Sequence, residues 1–155
     1  GAPEGIVRSA EADPNGFLQD ITHGTRHHIL ADEPRAYGGT NKGLSPYGLV
    51  SAGLAACTSM TIRMYARRKD WPLDHVSVDV SHNKVHAQDA DAGIGDKVDE
   101  WKRRITFTGA LDAAQCARLM EIADKCPVHR TLERSSRVIT ELAPMTTPPL
   151  ETTLP

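Results

Sequence analysis

The spacing of apolar residues changes several times along the chain, and each change predicts an element. Phe17-Leu-Gln-Asp-Ile21 and His27-His-Ile-Leu30 flank a His23-Gly24-Thr25 turn and predict a hairpin. Glu33-Pro34 ends its second strand, because proline cannot donate to a ladder. A glycine-rich loop over residues 38–43 follows. Ser45-Pro46 then predicts a helix start: serine accepts from a free first-turn amide, and proline at the first helical position has no amide hydrogen to leave unpaired. The helix is expected to reach about Lys69, where Arg67-Arg-Lys69 complements the negative dipole end and Trp71-Pro72 stops it. Its first half is apolar on all sides, which predicts a core helix. Val76, Val78, Val80 and Val85 alternate over Leu73 to Ala87, a strand. An acidic turn at Gln88–Asp96 leads to a returning strand over Val98–Phe107, with Trp101, Arg103, Ile105 and Phe107 on one face. Asp112-Ala-Ala-Gln115 is a capping-box variant opening a second helix to Lys125, with Leu111, Leu119, Met120 and Ile122 as its apolar stripe. Pro127 breaks that helix and starts a short third one, Val128 to Glu133. Ser136 to Leu142 predicts a last strand.

The order ββ–α–ββ–α–(α)–β pairs strands as hairpins, so the fold class is α+β with antiparallel sheets. At 155 residues the chain suits one domain. It divides into a lead-in over residues 1–16, the domain proper over 17–142 and a proline- and threonine-rich tail over 143–155. Apolar residues are 39% and aromatics 5%, a lean supply for a self-sufficient core that points to a partner subunit covering apolar surface. A net charge of −2 offers no basic field for nucleic acid or an anionic membrane. The longest apolar stretch, residues 44–62, is too interrupted by small polar residues to span a bilayer. No signal pattern opens the chain, so a cytoplasmic location is expected. Three cysteines in a reducing compartment fit no disulfide framework, and thiols that pair there do so transiently.

The chemistry therefore turns on the cysteines. Cys57 lies in the apolar run Leu49-Val-Ser-Ala-Gly-Leu-Ala-Ala-Cys57, and at ~100° per residue Val50, Gly53, Leu54, Met60, Thr61 and Met64 share its face. Alone, it reads as a small buried hydrophobe. Cys126 precedes Pro127 as the N-cap of the short helix, where positive dipole and free amides favour a thiolate. The two make a dithiol redox site if folding brings them together. Cys116 is ten residues from Cys126 along the second helix and is expected to be packing only. His82 and His86 would lie ~13 Å apart on a strand, too far for one metal, and His27 and His28 face opposite ways. Asp89, Asp91, Gly93 and Glu100 imitate a calcium loop, but Ile94 stands where that loop needs glycine. No metal and no resident cofactor is expected.

Ala31-Asp-Glu-Pro34, Gly38-Gly-Thr40, Leu44-Ser-Pro-Tyr47, the run from Ala52 through Cys57 to Thr61, Arg63-Met-Tyr-Ala66 and Ala123-Asp-Lys-Cys-Pro-Val-His-Arg-Thr-Leu132 together resemble the OsmC/Ohr family, the osmotically inducible and organic-hydroperoxide-resistance proteins. The resemblance covers roughly residues 17–142. It implies an OsmC-like fold, with antiparallel sheets wrapped around a long central helix in an intertwined homodimer, and active sites at the subunit boundary. It also implies a cysteine-based peroxidase. Cys57 matches the peroxidatic cysteine that reduces an organic hydroperoxide to an alcohol, and Cys126 the resolving cysteine that forms a disulfide with it. An external dithiol, lipoyl-type in some members, would restore the thiols. Val50, Leu54, Met60 and Met64 would form the apolar wall for the substrate. The family stabilises its thiolate with an N-terminal arginine held by an acid at the start of the long helix. Arg26 is the first candidate for that arginine, ahead of Arg8 and Arg35, but Tyr47-Gly48 stands where the acid is needed. That departure keeps a second expectation open: a redox sensor or a small apolar-ligand-binding stress protein with weak or no peroxidase activity.

Overall fold

Residues 1–86 and 97–146 are described by a computed structural model of the chain. Strands β1 (Val7–Glu11), β2 (Gln19–His23) and β3 (His27–Ala31) form one antiparallel sheet in that order. The β2–β3 hairpin is the one its sequence predicts, with Ile21 opposite Ile29 and Gly24 at a φ of 55° in the turn. Strand β1 was not predicted. All five of its side chains are exposed, so its sequence carries no alternation, and pairing with β2 alone defines it.

A buried carboxylate fixes the passage from this sheet to the long helix. Asp32 accepts from the amides of Glu33 (2.8 Å), Thr40 (3.1 Å) and Lys42 (3.2 Å) and from the Thr40 hydroxyl (2.6 Å). Four donors on one carboxylate replace the water lost on burial. The Thr40 hydroxyl, ahead of burial, which opposes it, and the three amides hold the Asp32 carboxyl below the usual aspartate range. A group depressed in the folded state stabilises the fold above its unfolded pKa, and that stabilisation is lost as pH falls through the folded value. Asp32→Asn is therefore expected to lower the thermal midpoint at neutral pH, and to flatten its decline between about pH 5 and 3 relative to the parent, as read by circular dichroism.

Helix α1 (Pro46–Arg68) starts as predicted, with Ser45 Oγ accepting from the Gly48 amide at 3.1 Å. A Cβ at position 48 would stand 3.1 Å from that same oxygen, so an acidic side chain there crowds the cap. The buried row of α1 is Leu54, Thr58, Ile62 and Ala66, one residue per turn. It packs on the hairpin of β4 (His75–His86) and β5 (Lys97–Thr108), the second antiparallel sheet. Ile62, Ala66 and Leu73 join Leu119 and Ala123 of α2 (Ala113–Ala123) as the core, flanked by Tyr65, Trp71, Val76, Ile105 and Phe107. Asp112 and Gln115 close the predicted capping box. α3 (Pro127–Leu132) follows with Cys126 as its N-cap.

Three expectations are corrected. The helix that reads as apolar all round buries only one row in this chain, and Met60 (70% exposed) and Met64 (55%) face outward. Met120 is exposed on α2, since the helix needs only Leu119, Ile122 and Ala123 to seal against α1. Ser136–Leu142 is not a strand: Val138, Ile139 and Leu142 are more than four-fifths exposed, and no neighbouring strand of the described chain pairs with this stretch. The turn at Gln88–Asp96, and with it most of the calcium-like loop, lies outside the described residues. No helix among the described residues is long and apolar enough to cross a membrane.

Candidate active site

α1 and the α2–α3 junction bring two of the three cysteines together. Cys57 and Cys126 lie close enough for each thiol to shift the ionisation of the other. Cys126 is fully buried at the proline kink, whereas Cys57 is half-buried and lines an apolar cavity of about 800 Å³. Both thiols are free, and Cys116 stands apart on α2, outside that cavity.

The environments of the two sulfurs split their acidities. Burial first, then the hydrogen bond with Cys126, push the Cys57 thiol up, against the Val128 amide and the Thr61 hydroxyl. Burial also opposes the Cys126 thiolate, but there the Cys57 thiol, the His129 amide, the Thr58 hydroxyl and the Val128 amide outweigh it and bring the group down. A pair this close shares its ionisations, so the first proton leaves the pair as a unit, and the surroundings favour the charge on Cys126 over Cys57. The sulfur with access to the cavity is thus the less acidic of the two, and its buried neighbour is the one suited to take its proton.

The cavity wall is Gly53, Ala56, Cys57, Met60, Thr61, Met64, Tyr65, Ile122 and Pro127, with Arg68, Arg118 and Lys125 as its basic members. Met60 and Met64 line it as expected; Val50 and Leu54 do not. Val50 lies ~10 Å further along the axis from Cys57, beyond the end of the cavity at Gly53. Leu54 is ~60° round the helix from Cys57, toward the row that packs on the sheet. It is buried and lines a smaller cavity of about 250 Å³ on the far side, with Trp101, Arg103 and His129. Arg26 is exposed in the β2–β3 turn and lines neither cavity, so this chain alone does not bring it to the thiols.

A further cation, from β5, reaches the residues that flank the pair. Arg103 reaches Thr58 Oγ1 (3.1 Å), the Ala123 carbonyl (2.9 Å), Asp124 Oδ1 (3.1 Å) and His129 Nδ1 (2.5 Å). Because Nδ1 accepts, His129 carries its proton on Nε2 and donates it to Glu133. The sequence held a signal for this residue: Arg103 is a charge at an inward-facing strand position between Trp101 and Ile105. Arg118 was not legible. Its Nε donates to the Tyr65 hydroxyl at 3.1 Å, a bond that lowers the phenol below its ordinary range, and the pairing joins residues 53 apart on two helices.

His82 is paired with Asp99 (2.8 Å), and no group of three or more histidine, cysteine or acidic side chains among the described residues could hold a metal ion.

The family model described as OsmC-like protein matches residues 39–141. No curated protein matches the chain. Among solved structures, an OsmC-like protein from Mycoplasma pneumoniae superposes with a TM-score of 0.63 at 18% identity, over 83% of this chain and 86% of its own. An organic hydroperoxide resistance protein OsmC from Legionella pneumophila gives 0.59 at 22% identity, over 82% and 87%. A Psychrobacter arcticus protein, with a proposed role in osmotic stress induced and detoxification responses, gives 0.63 at 24%, over 83% and 89%. At these identities the neighbours establish the OsmC-like fold.

Proposed function

This chain belongs to the OsmC/Ohr family of OsmC-like proteins, and on that premise we propose that it is a thiol-dependent peroxidase that reduces organic hydroperoxides to alcohols. The observation that carries the proposal is the unequal pair: Cys57 open to an apolar cavity, and Cys126 buried within interaction range of it. Cys57 passes its proton to Cys126 and attacks the distal peroxide oxygen. The S–O bond forms, the O–O bond breaks, and the alkoxide leaves as the alcohol on protonation. Cys126 then attacks the sulfur of the Cys57 sulfenic acid, water departs, and a Cys57–Cys126 disulfide remains. An external dithiol, lipoyl-type by family resemblance, resets both thiols.

Met60 and Met64 suit an alkyl or aryl peroxide substituent better than hydrogen peroxide, which gains nothing from an apolar wall. Their exposure also supports a homodimer in which a second copy closes the cavity and the active site lies at the boundary. Arg26 enters this proposal only as a residue that a second copy would bring. A cytoplasmic location, where dithiol reductants are maintained, is part of the same proposal.

Gly48 favours one other reading. Without an acid at the start of α1, the fold and thiols would serve a redox sensor or an apolar-ligand binder. Consumption of cumene hydroperoxide and of hydrogen peroxide, each with excess dithiol, separates the two. A peroxidase turns over both continuously and favours cumene hydroperoxide about ten-fold or more. A sensor or binder consumes at most one equivalent of either.

A further inference from the structure

Arg103 is an almost fully enclosed cation with no role in the chemistry above. Its side chain is 12% exposed and its guanidinium spans three elements. Nη1 holds Thr58 of α1 and the Ala123 carbonyl at the end of α2, while Nη2 holds Asp124, just past α2, and His129 of α3. Thr58 is next to Cys57 in sequence, and Ala123, Asp124 and His129 bracket Cys126. One planar fork therefore ties down the backbone on both sides of the dithiol.

Thr58 links this fork to sulfur. Its hydroxyl is completely buried, accepts from Arg103, and has one proton to give. The Leu54 carbonyl takes that proton at 2.7 Å, and the same hydroxyl is among the groups that bring the Cys126 thiol down. A thiolate is the stronger acceptor of the two, so ionisation of Cys126 turns the hydroxyl from carbonyl to sulfur.

We propose that Arg103 is a positioning residue that fixes Cys126 against Cys57 and, through the Thr58 hydroxyl, stabilises Cys126 as the leaving thiolate when a dithiol reduces the Cys57–Cys126 disulfide. The disulfide step rests on the peroxidase reading; the link from Arg103 through Thr58 to Cys126 does not. In that step one thiolate of the dithiol attacks Cys57, the sulfur facing the cavity. A mixed disulfide forms, the Cys57–Cys126 bond breaks, and Cys126 takes the electron pair. The second thiol of the reductant, as thiolate, then attacks the reductant sulfur of the mixed disulfide. It closes a cyclic disulfide and releases Cys57, which takes up a proton the reductant lost. Two electrons pass from reductant to protein. The more acidic thiol is the better leaving group, which directs attack to Cys57.

Other charges face this site. Cys57 comes from α1, Asp124 and Lys125 from the α2–α3 junction, His129 and Glu133 from α3, and Asp99 and Glu100 from β5. His82 and Lys84 of β4 reach it only through Asp99. A titration from neutral pH upward keeps the carboxylates constant, and a thiol-free blank removes the Tyr65 phenol, whose ionisation is also brought down.

The experiment uses the full chain carrying Cys57→Ala and Cys116→Ser, which leaves Cys126 as the one thiol. Thiolate absorbance is followed against pH, with Cys126→Ser as the blank. Thr58→Val and Arg103→Met are each expected to raise the midpoint by about one pH unit, and Thr58→Ser to restore the parent value. In the protein with both thiols, either change slows dithiol reduction of the disulfide roughly three-fold. If Arg103→Met does not fold, the Thr58→Val and Thr58→Ser pair decides alone. An unchanged midpoint in folded Thr58→Val overturns the proposal. A protein that consumes no hydroperoxide defeats the peroxidase reading and leaves this titration informative.

Discussion

Cys57→Ser is expected to cut cumene hydroperoxide turnover at least about a thousand-fold, the scale on which removal of a sole nucleophile registers. Of the three cysteines, Cys57 is the one that lines the apolar cavity, so a peroxide held there meets its sulfur and not that of Cys126. Serine keeps the shape of the side chain but not a group that ionises near neutral pH, so no S–O bond can form. The fold should hold, because the inward row of α1 is Leu54, Thr58, Ile62 and Ala66 and does not include position 57. Steady-state assays with matched circular dichroism spectra check both halves of the expectation. The pH dependence follows from the coupling of the thiols. Cys126 lies below the ordinary cysteine range, so the parent rate climbs as the pair loses its first proton, ahead of the range where an isolated cysteine ionises. A Cys57→Ser protein with parental activity would remove the peroxidase from consideration.

Cys126→Ser is expected to leave the first chemical event and block the second. One equivalent of alcohol per chain should form, more slowly than in the parent, and turnover should then stop. The slowing follows from the loss of the base that takes the Cys57 proton. The stop follows because no second sulfur remains to condense with the sulfenic acid, which is left for further oxidation to the sulfinic acid. Trapping with a sulfenic-acid probe after one equivalent of peroxide should label Cys57 in this variant and not in the parent. Continued turnover of Cys126→Ser with dithiol present would mean that the reductant resolves the sulfenic acid directly and that the buried thiol has another use.

Much of this molecule could be read before any coordinates. The Ser45-Pro46 start, the capping box at Asp112 and the proline kink at Pro127 are local signals, fixed by the hydrogen-bonding needs of helix ends, and all three hold. The inward strand face of Trp101, Arg103, Ile105 and Phe107 follows from a period of two. What failed depended on partners distant in sequence. Strand β1 exists only because β2 lies beside it, and the apolar stretch at Ser136–Leu142 lacks any such neighbour in the described chain. Leu54 was assigned to the cavity because a helical wheel cannot say where along a 120° arc the sheet begins to cover the helix. The approach of Cys57 to Cys126 was a conditional in the sequence, since the two lie on separate helices; packing of α3 against α1 settled it. Arg26 illustrates the opposite limit. Family resemblance suggested a role, but the residue stands in an exposed turn of its own chain, and the cation that ties together the elements carrying the thiols is Arg103.

Mass analysis after a single equivalent of cumene hydroperoxide tests the thiol pair most directly. The reduced protein should lose two hydrogens, yield one equivalent of cumyl alcohol, and give on digestion a linked peptide joining Cys57 to Cys126, with Cys116 still free. Alcohol formation with Cys57 unmodified, or a protein that emerges fully reduced with the peroxide intact, would contradict it.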